Sequence, residues 1–142
     1  MLASTLDPVA SEWLILRSHR PNVLVTGSND LIDAVLGALR PQLQPPICEW
    51  SPDGRLPAVY ERATLLIRNV GTLSLPQQGS LLAWLEELEP RGIQVVSTSA
   101  LELLRLVHDG AFLDDLYYRL NVVRMDAFIL TGQPEVFRST TM

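Results

Sequence analysis

The stretch Asn22-Val-Leu-Val-Thr-Gly27, with the periodic run from Asp30 to Leu39 behind it, decides the fold. A short apolar run ending in glycine reads as a buried strand and a turn, and Leu31, Ala34, Val35, Ala38 and Leu39 then carry helical spacing. The same unit recurs outward. Ala63-Thr-Leu-Leu-Ile67 is a buried-type strand, followed by a turn around Gly71 and a helix from about Pro76, at the favoured first position, to Leu88. Gly92 precedes another apolar strand, Ile93-Gln-Val-Val-Ser97. Ser99 and Glu102 have capping-box spacing for a helix through Leu103, Leu104 and Val107, and Gly110 is placed to end it. A helix from roughly Phe112 to Leu120 leads to a last strand at Val122 to Met125, while Ile47 to Trp50 is a brief strand before the turn signal Ser51-Pro-Asp-Gly54. Strands alternating with helices predict an α/β fold in three layers, a parallel sheet with helices on both faces, because parallel strands need crossover connections.

Two flanking segments read differently. Pro8 to Arg20 has an amphipathic helical stripe of Val9, Trp13, Leu14 and Leu16, and the tail from Gly132 to Met142 has no pattern and is expected to be a poorly ordered terminus. With 142 residues and 47% hydrophobic content, one globular domain over 1–142 is expected. A net charge of −5 and an isoelectric point near 4.9 argue against a direct DNA partner. Cys48 is the sole cysteine, so neither an internal disulfide nor a thiolate metal cluster is expected. No secretory signal or bilayer-length apolar run is present in the sequence, so a cytoplasmic protein with no membrane association is expected.

The run Gly110-Ala-Phe-Leu-Asp-Asp-Leu-Tyr-Tyr-Arg-Leu-Asn-Val122 and the upstream run Gly71-Thr-Leu-Ser-Leu-Pro-Gln-Gln-Gly-Ser-Leu-Leu-Ala-Trp-Leu-Glu-Glu87 carry a resemblance. They are similar to motifs of the central AAA+ domain of sigma-54-dependent transcription activators. The resemblance spans 22–125, with 1–21 outside it and 126–142 as a tail, and it implies a P-loop NTPase core without the helical lid. Departures from the family pattern fall on the chemistry. The P-loop position reads Gly27-Ser28-Asn29-Asp30-Leu31-Ile32-Asp33, without the second glycine or the lysine that meet the phosphates. Arg68 and Asn69 stand where the second acidic motif would hold Mg²⁺, and an arginine cannot ligate a cation. Ser99 and Ala100 stand at the γ-phosphate sensor, and Leu113 replaces the first of two motif arginines, leaving Arg119 as a residual arginine finger. Between Trp50 and Ala63 there is no room for the family's sigma-54-contacting insertion, and after Met125 no lid or helix-turn-helix follows in this sequence.

The resemblance, with these losses, implies no ATPase activity, no catalytic residue, no cofactor and no metal. It points to a protein-interaction or regulatory module in transcription control, with itself or a sigma-54 activator relative as partner. A homodimer through the helices that carry Trp84 and Tyr117 is expected. Two alternatives stay open: a binder of a different phosphate-containing ligand or nucleotide, and a vestigial protein. Individual residues have plainer readings beside these. Gly27 to Asp30 reads as a helix cap or an anion site, Arg68 as a partner of Asp33 or a solvated charge, and Arg119 as an i,i+4 partner of Asp115 or a finger. Glu86, Glu87 and Glu89 read as a solvated face, and His19, His108 and Asp109 as helix ends rather than metal ligands.

Overall fold

A computed structural model describes residues 20–50 and 62–130. The N-terminal stripe through Trp13, the turn at Ser51 to Gly54 and the tail from Gly132 lie outside the described residues. Five strands form one parallel sheet: β1 (Val23–Thr26), β2 (Ile47–Trp50), β3 (Thr64–Ile67), β4 (Gln94–Ser99) and β5 (Val123–Asp126), in the order β2-β3-β4-β1-β5. In register Val23 faces Val96 and Val123, and Leu65 faces Cys48 and Val95.

Alternation along the strands makes two cores. Leu24, Leu65, Ile67 and Val95 face α2 (Leu75–Leu88), α3 (Leu103–His108) and α4 (Asp114–Leu120), packing on Leu81, Leu85, Leu103, Leu116 and Leu120. Val23, Val25, Leu66, Val96 and Met125 face the other way onto α1 (Asn29–Leu39) and α5 (Ala127–Leu130). α1 presents Ile32, Val35, Leu36 and Leu39, a single helical stripe that is fully buried. The expected three-layer α/β fold is thus the observed one.

The caps account for where the helices begin and end. α2 starts with a capping box: the Gln77 N–H donates to Ser74 Oγ (3.3 Å), the Ser74 N–H donates to Gln77 Oε1 (2.8 Å), and Pro76 stands in the first turn. The box expected at Ser99 and Glu102 does not form. Ser99 is still in β4, opposite Thr26, and its hydroxyl is engaged with the Leu101 backbone, donating to the carbonyl (2.6 Å) and accepting from the N–H (3.1 Å). Glu102 occupies the cap of α3 without a side-chain bond. At the other end of α3, Gly110 takes φ +76°, and its N–H and that of Ala111 return to the carbonyls of Val107 and Leu106 (3.1 and 2.8 Å). This paired closure is why the helix stops there.

Candidate functional site

In an open parallel sheet, ligands bind beyond the carboxyl ends of the strands where the connections diverge. Here that edge is formed by the ends of β1, β3, β4 and β5. The connection from β1 to α1 consists of Gly27 and Ser28 alone. Ser28 caps α1: its Oγ accepts from the Leu31 N–H (3.4 Å) and its carbonyl from the Ile32 N–H (2.9 Å). Gly27 has φ +142°, and a Cβ added there would stand 2.9 Å from the Cβ of Ala127, the buried first residue of α5. Its glycine is therefore required by backbone conformation and by the close approach of α5. Asn29 and Asp30 are exposed in the first turn.

Arg68, just past β3, is held by two carboxylates. Its Nη1 donates to Asp33 Oδ1 of α1 (2.9 Å) and its Nε to Glu49 Oε2 of β2 (2.7 Å), while Arg40 Nη2 donates to Glu49 Oε1 (2.5 Å). Two cations and two anions thus alternate along one chain. The hydrogen bond to Asp33, outweighing partial burial, holds the Arg68 guanidinium above its usual pKa. Burial pushes the Glu49 carboxyl up, but the hydrogen bonds and charges of Arg40 and Arg68 together bring it below its ordinary value. Folding therefore gains from the charged Glu49 above the ordinary glutamate range, and the gain disappears as pH falls through the lower folded value. Glu49→Gln is expected to flatten the acid limb of stability below about pH 5, by less than about 1 kcal/mol because the group is part exposed. Urea unfolding of both proteins across pH is the measurement, and parallel acid limbs would contradict it.

Asn69 adopts a left-handed conformation (φ +58°). Its N–H donates to Thr98 Oγ1 (3.0 Å) and its carbonyl accepts from the Thr72 N–H (3.0 Å) and hydroxyl (2.8 Å). Thr98, the β4 side chain beside the sensor position, thus organises the turn after β3. Ala100 is exposed on the bend after Ser99.

Among the candidate residues, Gly27, Ser28, Ser99 and Ala100 come together around a cavity of about 620 Å³ at the carboxyl ends of β1, β4 and β5, with Leu103, Tyr117, Arg124 and Phe128 on its walls. Asp33, Arg68 and Asn69 are outside that lining. Arg119 lies at the opposite end of the sheet, where its carbonyl accepts from Asn22 Nδ2 (3.0 Å) just before β1. Its expected partner Asp115 is not the one it takes. The guanidinium is bound by Glu89 and approaches Glu86 Oε2 at 3.7 Å, both on or directly after α2, because α2 and α4 pack side by side over the sheet. Glu86 and Glu89 are therefore ion-pair partners more than a bare solvated face.

Sequence reasoning overlooked Glu49, Arg40 and Thr98. The pairing of Trp50 with Ile67 puts Glu49 beside the strand end that carries Arg68, but that register exists only once the sheet is assembled. Among the described residues there is no cluster of three metal-ligating side chains, and no helix is long and apolar enough to cross a membrane.

Residues 40–128 match the family model described as the sigma-54 interaction domain. The sigma-54-dependent transcriptional activator SfnR of Pseudomonas putida is 35% identical over 81 residues, covering 50% of this chain and 22% of its own length. The DNA-binding transcriptional activator HyfR of Escherichia coli is 31% identical over 87 residues, covering 54% of this chain and 13% of its own. This chain thus spans about a fifth or less of these relatives. NtrX of Brucella abortus, solved in complex with ATP, superposes with a TM-score of 0.67 at 16% identity, covering 87% of this chain and 35% of that one, a likeness of fold. The family match begins at residue 40, beyond the Gly27 turn.

Proposed function

This chain belongs to the sigma-54 interaction domain family, and from that premise we propose a catalytically inactive member that acts through protein contact in the control of transcription. The partner is a second copy or a sigma-54 activator relative, met in the cytoplasm without direct contact to DNA. The observation that carries this reading is the Gly27–Ser28 turn. A phosphate-wrapping loop presents several backbone N–H groups and a lysine to the β- and γ-phosphates. Here two residues connect strand to helix, Ser28 is committed to capping, and Ala127 abuts Gly27. The Arg68 network supports the same reading, with a guanidinium and its two carboxylates where the family places a metal-binding acid.

A second reading, a ligand-binding domain with altered preference, is supported by the cavity at the strand ends. Restoration of one charge separates an ATPase with a single defect from the inactive domain proposed. In Asp33→Lys the new ammonium sits beside Arg68 and removes one of its partners, while neither the loop nor the missing carboxylate is supplied. Neither the parent chain nor Asp33→Lys is expected to release phosphate from Mg-ATP above the blank. Hydrolysis by that variant would contradict the placement of the loop.

A further inference from the structure

The groove of about 770 Å³ at the amino-terminal end of the sheet has a concave floor and a projecting side chain on one surface. Leu82, Leu85 and Ile93 make an apolar floor between α2 and α4. Tyr118 and Val122 line the same groove and stand 67% and 60% exposed, matched among the described large apolar side chains only by Ile129. On the two helices expected at an interface, Trp84 and Tyr117 are themselves engaged within the chain. Trp84 is half-buried and meets Trp50 edge-on at 6.5 Å, and the Tyr117 hydroxyl accepts from Asn121 Nδ2 (3.0 Å). Tyr118 is braced edge-on against Tyr117, with ring centroids 5.3 Å apart. A braced, exposed tyrosine is a low-entropy anchor for a contact.

The charges select the occupant. Arg119 sits between Glu86 and Glu89, the Arg20 guanidinium donates to the carbonyls of Arg62 and Ala63 (3.4 and 3.5 Å), and Asp115 completes the lining. Both signs are present and nearly cancel, which suits a partner carrying the same mixture and gives no preference for a polyanion or a polybasic segment. A hole, an anchor and both charges on one patch are self-complementary, the condition for an isologous contact. We propose that two copies of this chain dock here about a two-fold axis, the Tyr118 of each entering the groove of the other. This rests on the protein-contact reading above, and it places self-association at the end of the sheet remote from Gly27 and Ser99.

Sedimentation velocity of the full chain over a wide range of concentration tests it, with Tyr118→Glu and Ile129→Glu as paired variants at equally open positions and circular dichroism melts to verify their folding. The expected result is a dimer that Tyr118→Glu weakens by at least about thirtyfold, the loss a central aromatic anchor gives, and that Ile129→Glu leaves unchanged. A dimer that survives Tyr118→Glu overturns the groove while self-association stands. A parent chain that stays monomeric throughout, or one that forms a ring-sized assembly, overturns the two-fold contact itself. Co-sedimentation with a complete sigma-54 activator then reads the protein-contact proposal separately.

Discussion

Gln78→Leu is expected to destabilise the chain by about 3 kcal/mol and to lower its melting temperature by roughly 10 °C. Gln78 is fully buried on α2, yet no polar atom of its amide is left without a partner. Its Nε2 donates to the carbonyls of Leu73 (3.0 Å) and Ala111 (2.9 Å), and its Oε1 accepts from the Leu113 N–H (2.8 Å). These bonds tie the start of α2 to the turn between α3 and α4, where the two most distinctive sequence runs meet. Leucine keeps the volume and removes every bond, leaving three backbone groups to be buried unpaired or to pull the turn apart. Each such group costs about 1–3 kcal/mol, less whatever water recovers. Urea unfolding with an unchanged slope is the measurement, and a loss below about 1 kcal/mol would mean that the turn rearranges freely.

Gly27→Ala is expected to cost about 2–3 kcal/mol, whereas Gly37→Ala is expected to stabilise by about 0.5–1 kcal/mol. The contrast isolates conformation from composition. At Gly27 the φ of +142° is foreign to an L side chain, and the new Cβ meets Ala127 at 2.9 Å, backed by the α5 backbone, so the neighbour has little room to give. Gly37 lies exposed inside α1 with nothing within 4 Å of an added Cβ, so alanine only lowers the entropy of the unfolded chain. Comparison of the two melts reports whether Gly27 is held by packing. Equal effects would mean that the β1–α1 turn is looser than its geometry.

The sheet was legible because its signals are local. Thr64 to Ile67 is a wholly buried run, and glycine or proline marks most of the boundaries that follow. Where two sites share one pattern the sequence misled: a capping box is expected at Ser99 and Glu102, where β4 keeps Ser99 extended, and the one that forms, at Ser74 and Gln77, was overlooked. The pair Arg68 and Asp33 could be anticipated from motif positions. Glu49 could not, since its approach depends on β2 lying at the sheet edge beside β3. Arg119 shows the same limit: the helical rule offered Asp115 as its partner, and helix packing supplied Glu86 and Glu89 instead. Local patterns name elements, whereas the composition of a site is set by which elements become neighbours.

The most direct test of the inactive-domain reading is a thermal melt of the chain with and without saturating Mg-ATP, repeated with ADP and GTP. A ligand that binds only the folded state at a hundredfold excess over Kd adds about 2.7 kcal/mol, a rise of several degrees in melting temperature for a domain of this size. The two-residue Gly27–Ser28 connection predicts no rise with any of them. A Mg²⁺-dependent increase of several degrees with ATP would contradict it, and would mean that the two-residue turn rearranges when the nucleotide binds.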